Sequence, residues 1–77
     1  MSSNNPYYDK ANLSGRELEI LLLYCREYTT SEISKKLHLS DKTVGRHREN
    51  IMKKVGAKST IGLVMYAIKN GIFKCET

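Results

Sequence analysis

Tryptophan is missing from this chain, and phenylalanine and proline each occur once among its 77 residues. Sandwiches of many short strands need turn residues at close intervals, so this scarcity favours helices. No segment alternates apolar and polar side chains over the length of a strand. Cysteine is sparse too. Cys25 and Cys75 have neither a Cys-x-x-Cys spacing nor a histidine companion, so no metal site is expected. Cys25 falls in an apolar stretch and reads as a small buried hydrophobe, while Cys75 reads as a free thiol in the tail. The N-terminal residues are polar and unlike a signal peptide, and no apolar run reaches the roughly 20 residues that span a bilayer. A reducing, cytoplasmic setting without membrane or cofactor is expected. No nucleophile is paired with a base, and neither His38 nor His47 has a partner carboxylate at a convincing helical spacing, which argues against an enzyme.

Positive charge is what the chain has in excess. Thirteen Lys and Arg residues against eight Asp and Glu give a formal net charge of +5. Eight of those thirteen cations lie between Lys35 and Lys58, where the only acids are Asp41 and Glu49. That window is +6 and the remainder of the chain is −1. A field so localised points to an anionic partner, nucleic acid before others. A chain of this length supports one small domain of marginal stability.

Helix starts are legible. Ser14-x-x-Glu17 is a capping box, with Leu13 before it as a hydrophobic staple. The run from Leu18 to Cys25 is apolar around most of its circumference, which predicts a helix touched on several sides. Thr29-x-x-Glu32 opens a second helix through about Leu37, with Ile33 and Leu37 facing inward. His38 and Leu39 make a brief connection, Leu39 turned back to the core. Ser40-x-x-Thr43 starts a third helix that runs to about Val55 and stops at Gly56. Ser59 caps a fourth, ended by Asn70-Gly71. The prediction is an all-α, four-helix domain with a central helix-turn-helix, spanning residues 13–73 between an arm or linker at 1–12 and a tail at 74–77.

The third helix has two faces. Val44, Ile51 and Val55 fall on an inward stripe with Met52 at its edge. Lys42, Arg46, Glu49 and Lys53 recur at i, i+4, i+7 and i+11 on the other side. A charged outer face is commonly just solvated. On the second helix of a helix-turn-helix, however, it is the face that enters the DNA major groove. Lys42, Gly45, Arg46 and Glu49 are the candidate base readers. Arg46 leads them, because its fork can donate two bonds to guanine O6 and N7. Glu49, three residues on, either accepts from cytosine N4 or restrains Arg46, and the spacing favours restraint. Gly45 breaks the helical preference and reads either as close backbone approach to DNA or as a tolerant surface position. Thr30, Ser31, Ser40 and Thr43 stand where helix N-termini attract phosphate oxygens. His47, Asn50, Lys53, Lys54 and Lys58 complete the candidate phosphate contacts, which would position the domain without specifying sequence.

The fourth helix has more apolar surface than one core stripe requires. Leu63, Val64 and Ala67 form that stripe, and Ile61, Met65 and Ile68 form a second. The second stripe is expected to pair two copies of the domain, placing two third helices on successive half-sites. Cover by the first helix and the chain ends is the alternative.

Together the strings LSGRELEIL at 13–21, TTSEISKKLHLSDKTVGRHRENIMKKV at 29–55 and LVMYAIKNGI at 63–72 resemble the LuxR/FixJ/GerE-type DNA-binding domain, also found as the output domain of NarL-like response regulators. The resemblance covers about sixty residues. It implies a tetrahelical domain that enters the major groove, usually as a dimer through its last helix, with base-facing positions at Gly45, Arg46 and Glu49. Thr43, Val44 and Lys54 match characteristic family positions. The chain departs from the pattern at Gly45, often lysine, at Glu27, commonly a helix-ending glycine, and at Thr60, commonly arginine. The implied role is the output domain of a two-component response regulator, with a receiver domain outside this sequence and RNA polymerase open as a further partner. A stand-alone GerE-like regulator, a sigma-factor promoter-binding region and a basic protein-interaction module remain alternatives.

Overall fold

The computed structural model describes residues 11–74. Residues 1–10 of the expected arm and Cys75 of the tail lie outside the described residues. Four helices follow in order: α1 (Gly15–Cys25), α2 (Thr30–Leu37), α3 (Asp41–Val55) and α4 (Thr60–Lys69). No strand occurs among the described residues.

Each helix begins at the residue its sequence marks. Ser14 accepts from the Glu17 amide while the Glu17 carboxylate accepts from the Ser14 amide, and Thr29 and Glu32 repeat the exchange at α2. Ser40 and Ser59 cap α3 and α4 by accepting from Thr43 and Gly62. Each reciprocal or single cap satisfies amides that the helix itself leaves unpaired.

The four ends share one solution. A residue with positive φ follows each helix: Glu27, His38, Gly56 and Gly71. The residue after it donates its amide back five positions, as Tyr28 to Leu23, Leu39 to Ser34, Ala57 to Met52 and Ile72 to Ala67. This Schellman closure satisfies last-turn carbonyls and turns the next side chain towards the core. Tyr28, Leu39, Ala57 and Ile72 all pack there. Glycine adopts positive φ freely, whereas Glu27 at φ 68° carries a Cβ into the left-handed region. The departure noted in the sequence therefore leaves the turn in place at an energetic cost. Glu27→Gly should stabilise the domain by about 0.5–1 kcal/mol, offset in part by the greater unfolded-state freedom of glycine. Thermal unfolding should show a midpoint higher by a few degrees; an unchanged or lower midpoint would mean the turn at Glu27 is not costly.

α1 and α3 are the central pair, each touching the other three helices, whereas α2 and α4 do not touch. This agrees with the apolar circumference of α1. Ile20 and Leu21 of α1, Ile33 of α2, Val44 and Ile51 of α3, and Leu63 and Ala67 of α4 are wholly buried. Burying each of the larger aliphatic side chains contributes about 1.5–3 kcal/mol. Cys25 is buried with them, and that burial pushes its thiol up to about 11, so it is an inert packing residue.

Candidate nucleic-acid interface

α2 and α3 are joined by His38, Leu39 and Ser40, and the pair forms a helix-turn-helix. Val44 and Ile51 anchor α3 in the core, with Met52 and Val55 half-buried beside them. The opposite side is thereby turned out. Lys42, Arg46, Glu49 and Lys53 are all exposed along it, with Asn50 exposed on its flank.

These outward charges are free of internal partners. Among the described residues the ion pairs are Arg16 with Glu19 and Lys54 with Glu17. The restraint of Arg46 by Glu49 expected from their spacing is absent. Both side chains are solvated, and an exposed pair at i, i+3 gains only a few tenths of a kcal/mol, roughly 0.2–0.5. Arg46 thus presents its whole fork, and the Glu49 carboxylate is available to accept. Gly45 is half-buried, and a Cβ built there would meet nothing within 4 Å. No contact among the described residues calls for glycine at this position.

The hydroxyl candidates lie at the N-terminal turns of α2 and α3. Ser31, Ser40 and Thr43 are exposed. The Ser40 hydroxyl is already engaged, accepting from the Thr43 amide at 3.0 Å and donating to Thr43 Oγ1 at 2.9 Å. Thr43 retains its own hydroxyl proton for an outside acceptor. Thr30 Oγ1 lies 2.6 Å from the Tyr24 hydroxyl, which locks its rotamer against α1. His47 is half-buried, and Lys58 is exposed in the connection between α3 and α4. Arg48, which the charge pattern alone did not single out, lies half-buried at the core edge and donates to Met52 Sδ at 3.1 Å.

Lys54 differs from the other candidates. Its ammonium donates to Glu17 Oε1 at 2.8 Å, across 37 residues of sequence. The same oxygen accepts from the Ser14 amide at 2.9 Å. Burial pushes the Glu17 carboxyl up, but the bonds from Lys54 and Ser14 and the nearby positive charge outweigh it, holding the group below its ordinary range. Lys54 is therefore first an internal anchor that ties the end of α3 to the start of α1, and its charge is largely neutralised before any phosphate arrives. Glu17 was legible as a cap, but its second partner was not, because nothing local marks a contact that reaches past the intervening α2.

On α4, Leu63 and Ala67 are buried and Val64 is half-buried, as the inner stripe predicts. The other stripe is open: Ile61 is 75% exposed, Met65 51% and Ile68 39%. No described segment covers it. No helix among the described residues is long and apolar enough to cross a membrane.

Comparison with known proteins agrees with this architecture. The family described as bacterial regulatory proteins, luxR family, matches residues 11–67. The oxygen regulatory protein NreC of Staphylococcus aureus strain JH9 is 48% identical over 62 residues, covering 80% of this chain and 29% of that protein. NreC of strains Mu3 and USA300 matches with the same identity and coverage. The chain thus spans under a third of the length of these relatives. No solved structure matches it. A helix-turn-helix of this topology, matched over most of its described length, belongs to the luxR family of bacterial regulatory proteins, which are regulators and not enzymes.

Proposed function

We propose that this domain binds double-stranded DNA in a sequence-specific manner and regulates transcription, with α3 lying in the major groove. The observation that carries the reading is the outward face of α3. Lys42, Arg46, Glu49 and Lys53 stand exposed and unpaired on the second helix of a helix-turn-helix. Arg46 and Glu49 read base edges, and Lys42 reaches a base or the adjoining phosphate. Gly45 lets the backbone come close and contributes no side-chain contact. Thr30, Ser31, Ser40, Thr43, His47, Asn50, Lys53 and Lys58 contact or face phosphates and set the register. Lys54 contributes to this field more weakly, since Glu17 already holds it.

The relatives are regulators more than three times the length of the matched segment. We read the chain accordingly as the output domain of a cytoplasmic two-component response regulator whose receiver is a separate domain, with RNA polymerase as a downstream partner. Selection of random duplexes against the purified domain tests the DNA reading. Enrichment of a short motif is expected. Affinity that falls with salt yet never distinguishes one duplex from another would favour a non-specific basic module instead. Specific binding only in the presence of core polymerase would favour a sigma-factor region.

Two copies pair on DNA through Ile61, Met65 and Ile68. These three side chains, at i, i+4 and i+7, make one apolar stripe on α4 that a second copy would bury isologously. In sedimentation, the wild type should load two copies on a duplex with two half-sites, and Met65→Glu should load them independently or only one. Cooperative loading by Met65→Glu at unchanged mass would remove α4 as the dimer face.

A further inference from the structure

The elbow of the helix-turn-helix holds a buried polar side chain. Ser34, on α2, is 5% exposed. Its Oγ lies between two acceptors, the Ser31 carbonyl at 2.8 Å and the carboxylate of Asp41. The single hydroxyl proton is shared between them; the first contact has the geometry serine commonly adopts back to its own helix. The second crosses the turn to the first residue of α3.

Asp41 is the acidic residue in the first turn of α3. A carboxylate there is favourable for the helix, because it meets the positive end of the dipole. For DNA binding the same charge is adverse, because the N-terminal part of this helix is the part that approaches phosphates. α2 meets the same conflict at Glu32, whose carboxylate is held by the Thr29 amide at 2.8 Å. In both helices the first-turn acid is tied internally. We infer that Ser34 is a positioning residue for DNA binding: it holds the Asp41 carboxylate in the elbow, where it supports α3 without opposing the phosphate backbone. This inference rests on the DNA reading proposed above.

The test is a double-mutant cycle read by duplex affinity. Ser34→Ala releases Asp41 and raises helix propensity, so folding should persist; circular dichroism at the assay temperature checks it. Ser34→Ala should weaken preferred and scrambled duplexes alike by about three- to tenfold at low salt, with the loss shrinking as salt screens the freed charge. Asp41→Asn keeps an oxygen for Ser34 and removes the charge. In that background, adding Ser34→Ala should change affinity by less than about twofold. An equal loss in both backgrounds would show that Ser34 merely packs the elbow, and no loss in either would show that Asp41 needs no restraint. A wild-type domain with no affinity for any duplex would instead overturn the DNA reading itself, and this inference with it.

Discussion

Replacing Arg46 with alanine is expected to weaken binding to the preferred duplex by about 1–3 kcal/mol, roughly 5- to 150-fold, while scrambled duplexes lose far less. Arg46 sits in the middle of the outward face of α3, exposed, with no acceptor among the described residues to compete for its five donors. On the proposed reading the truncation would leave a guanine edge desolvated and unpaired, which is why the loss should fall on one base position. Arg46→Lys separates charge from geometry. It should preserve the salt dependence, because a cation remains, yet lose most of the discrimination, because an ammonium cannot make the two-pronged contact. Duplex selection repeated on both variants reads this directly. If either variant kept the wild-type motif at full contrast, base reading would have to be moved elsewhere on the helix.

The second large effect is on stability, at Lys54. Lys54→Met should destabilise the domain by about 2–3 kcal/mol, lowering its thermal midpoint by roughly 10–20 °C for a domain this small. The side chain of Glu17 is 8% exposed and that of Lys54 39% exposed. The two partners are therefore not equivalent. When Glu17 is removed, Lys54 can turn to water; when Lys54 is removed, a buried carboxylate is left with the Ser14 amide alone. The half-exposed lysine keeps the cost below that of a fully buried pair. Glu17→Ala should consequently cost less, about 1–2 kcal/mol, most of it the lost cap.

The pH dependence should reverse between wild type and variant. In the wild type the Glu17 carboxyl is held below its ordinary value of 4.5. Its contribution is complete above that value and is lost as pH falls through the lowered native one. In Lys54→Met, burial is no longer outweighed, so the native carboxyl moves up. The variant should then recover part of its lost stability on acidification, as the buried carboxyl takes up a proton in the folded state before it would in the unfolded one. Denaturant melts at neutral and mildly acidic pH would show this as a narrowing gap between the two proteins. A gap that is constant or widens would mean that Lys54 does not stabilise the Glu17 anion. The same experiment separates an anchoring role for Lys54 from a DNA contact, since stability is measured with no duplex present.

What the sequence determined by itself was local in origin. Capping boxes at Ser14 and Thr29, serines at 40 and 59, and glycines at 56 and 71 act within one turn of their own position, so they mark helix limits wherever the chain is read. The stripe of Val44, Ile51 and Val55 likewise implies the outward face of Lys42, Arg46, Glu49 and Lys53, because helical geometry puts them on opposite sides. The open stripe of Ile61, Met65 and Ile68 was legible for the same reason. Tertiary structure alone decided which of those charges are spoken for. Lys54 reads in sequence like Lys53, yet the packing of α3 on α1 sets it beside Glu17, 37 residues away, and leaves Lys53 in water. Arg46 and Glu49 have a spacing that permits pairing, but solvation on an exposed face outcompetes it. Ser34 and Asp41 meet only because the turn folds α3 against α2. Periodicity fixes the direction in which a side chain points. What it finds there depends on which helix arrives opposite, and that is set by the burial of the whole core.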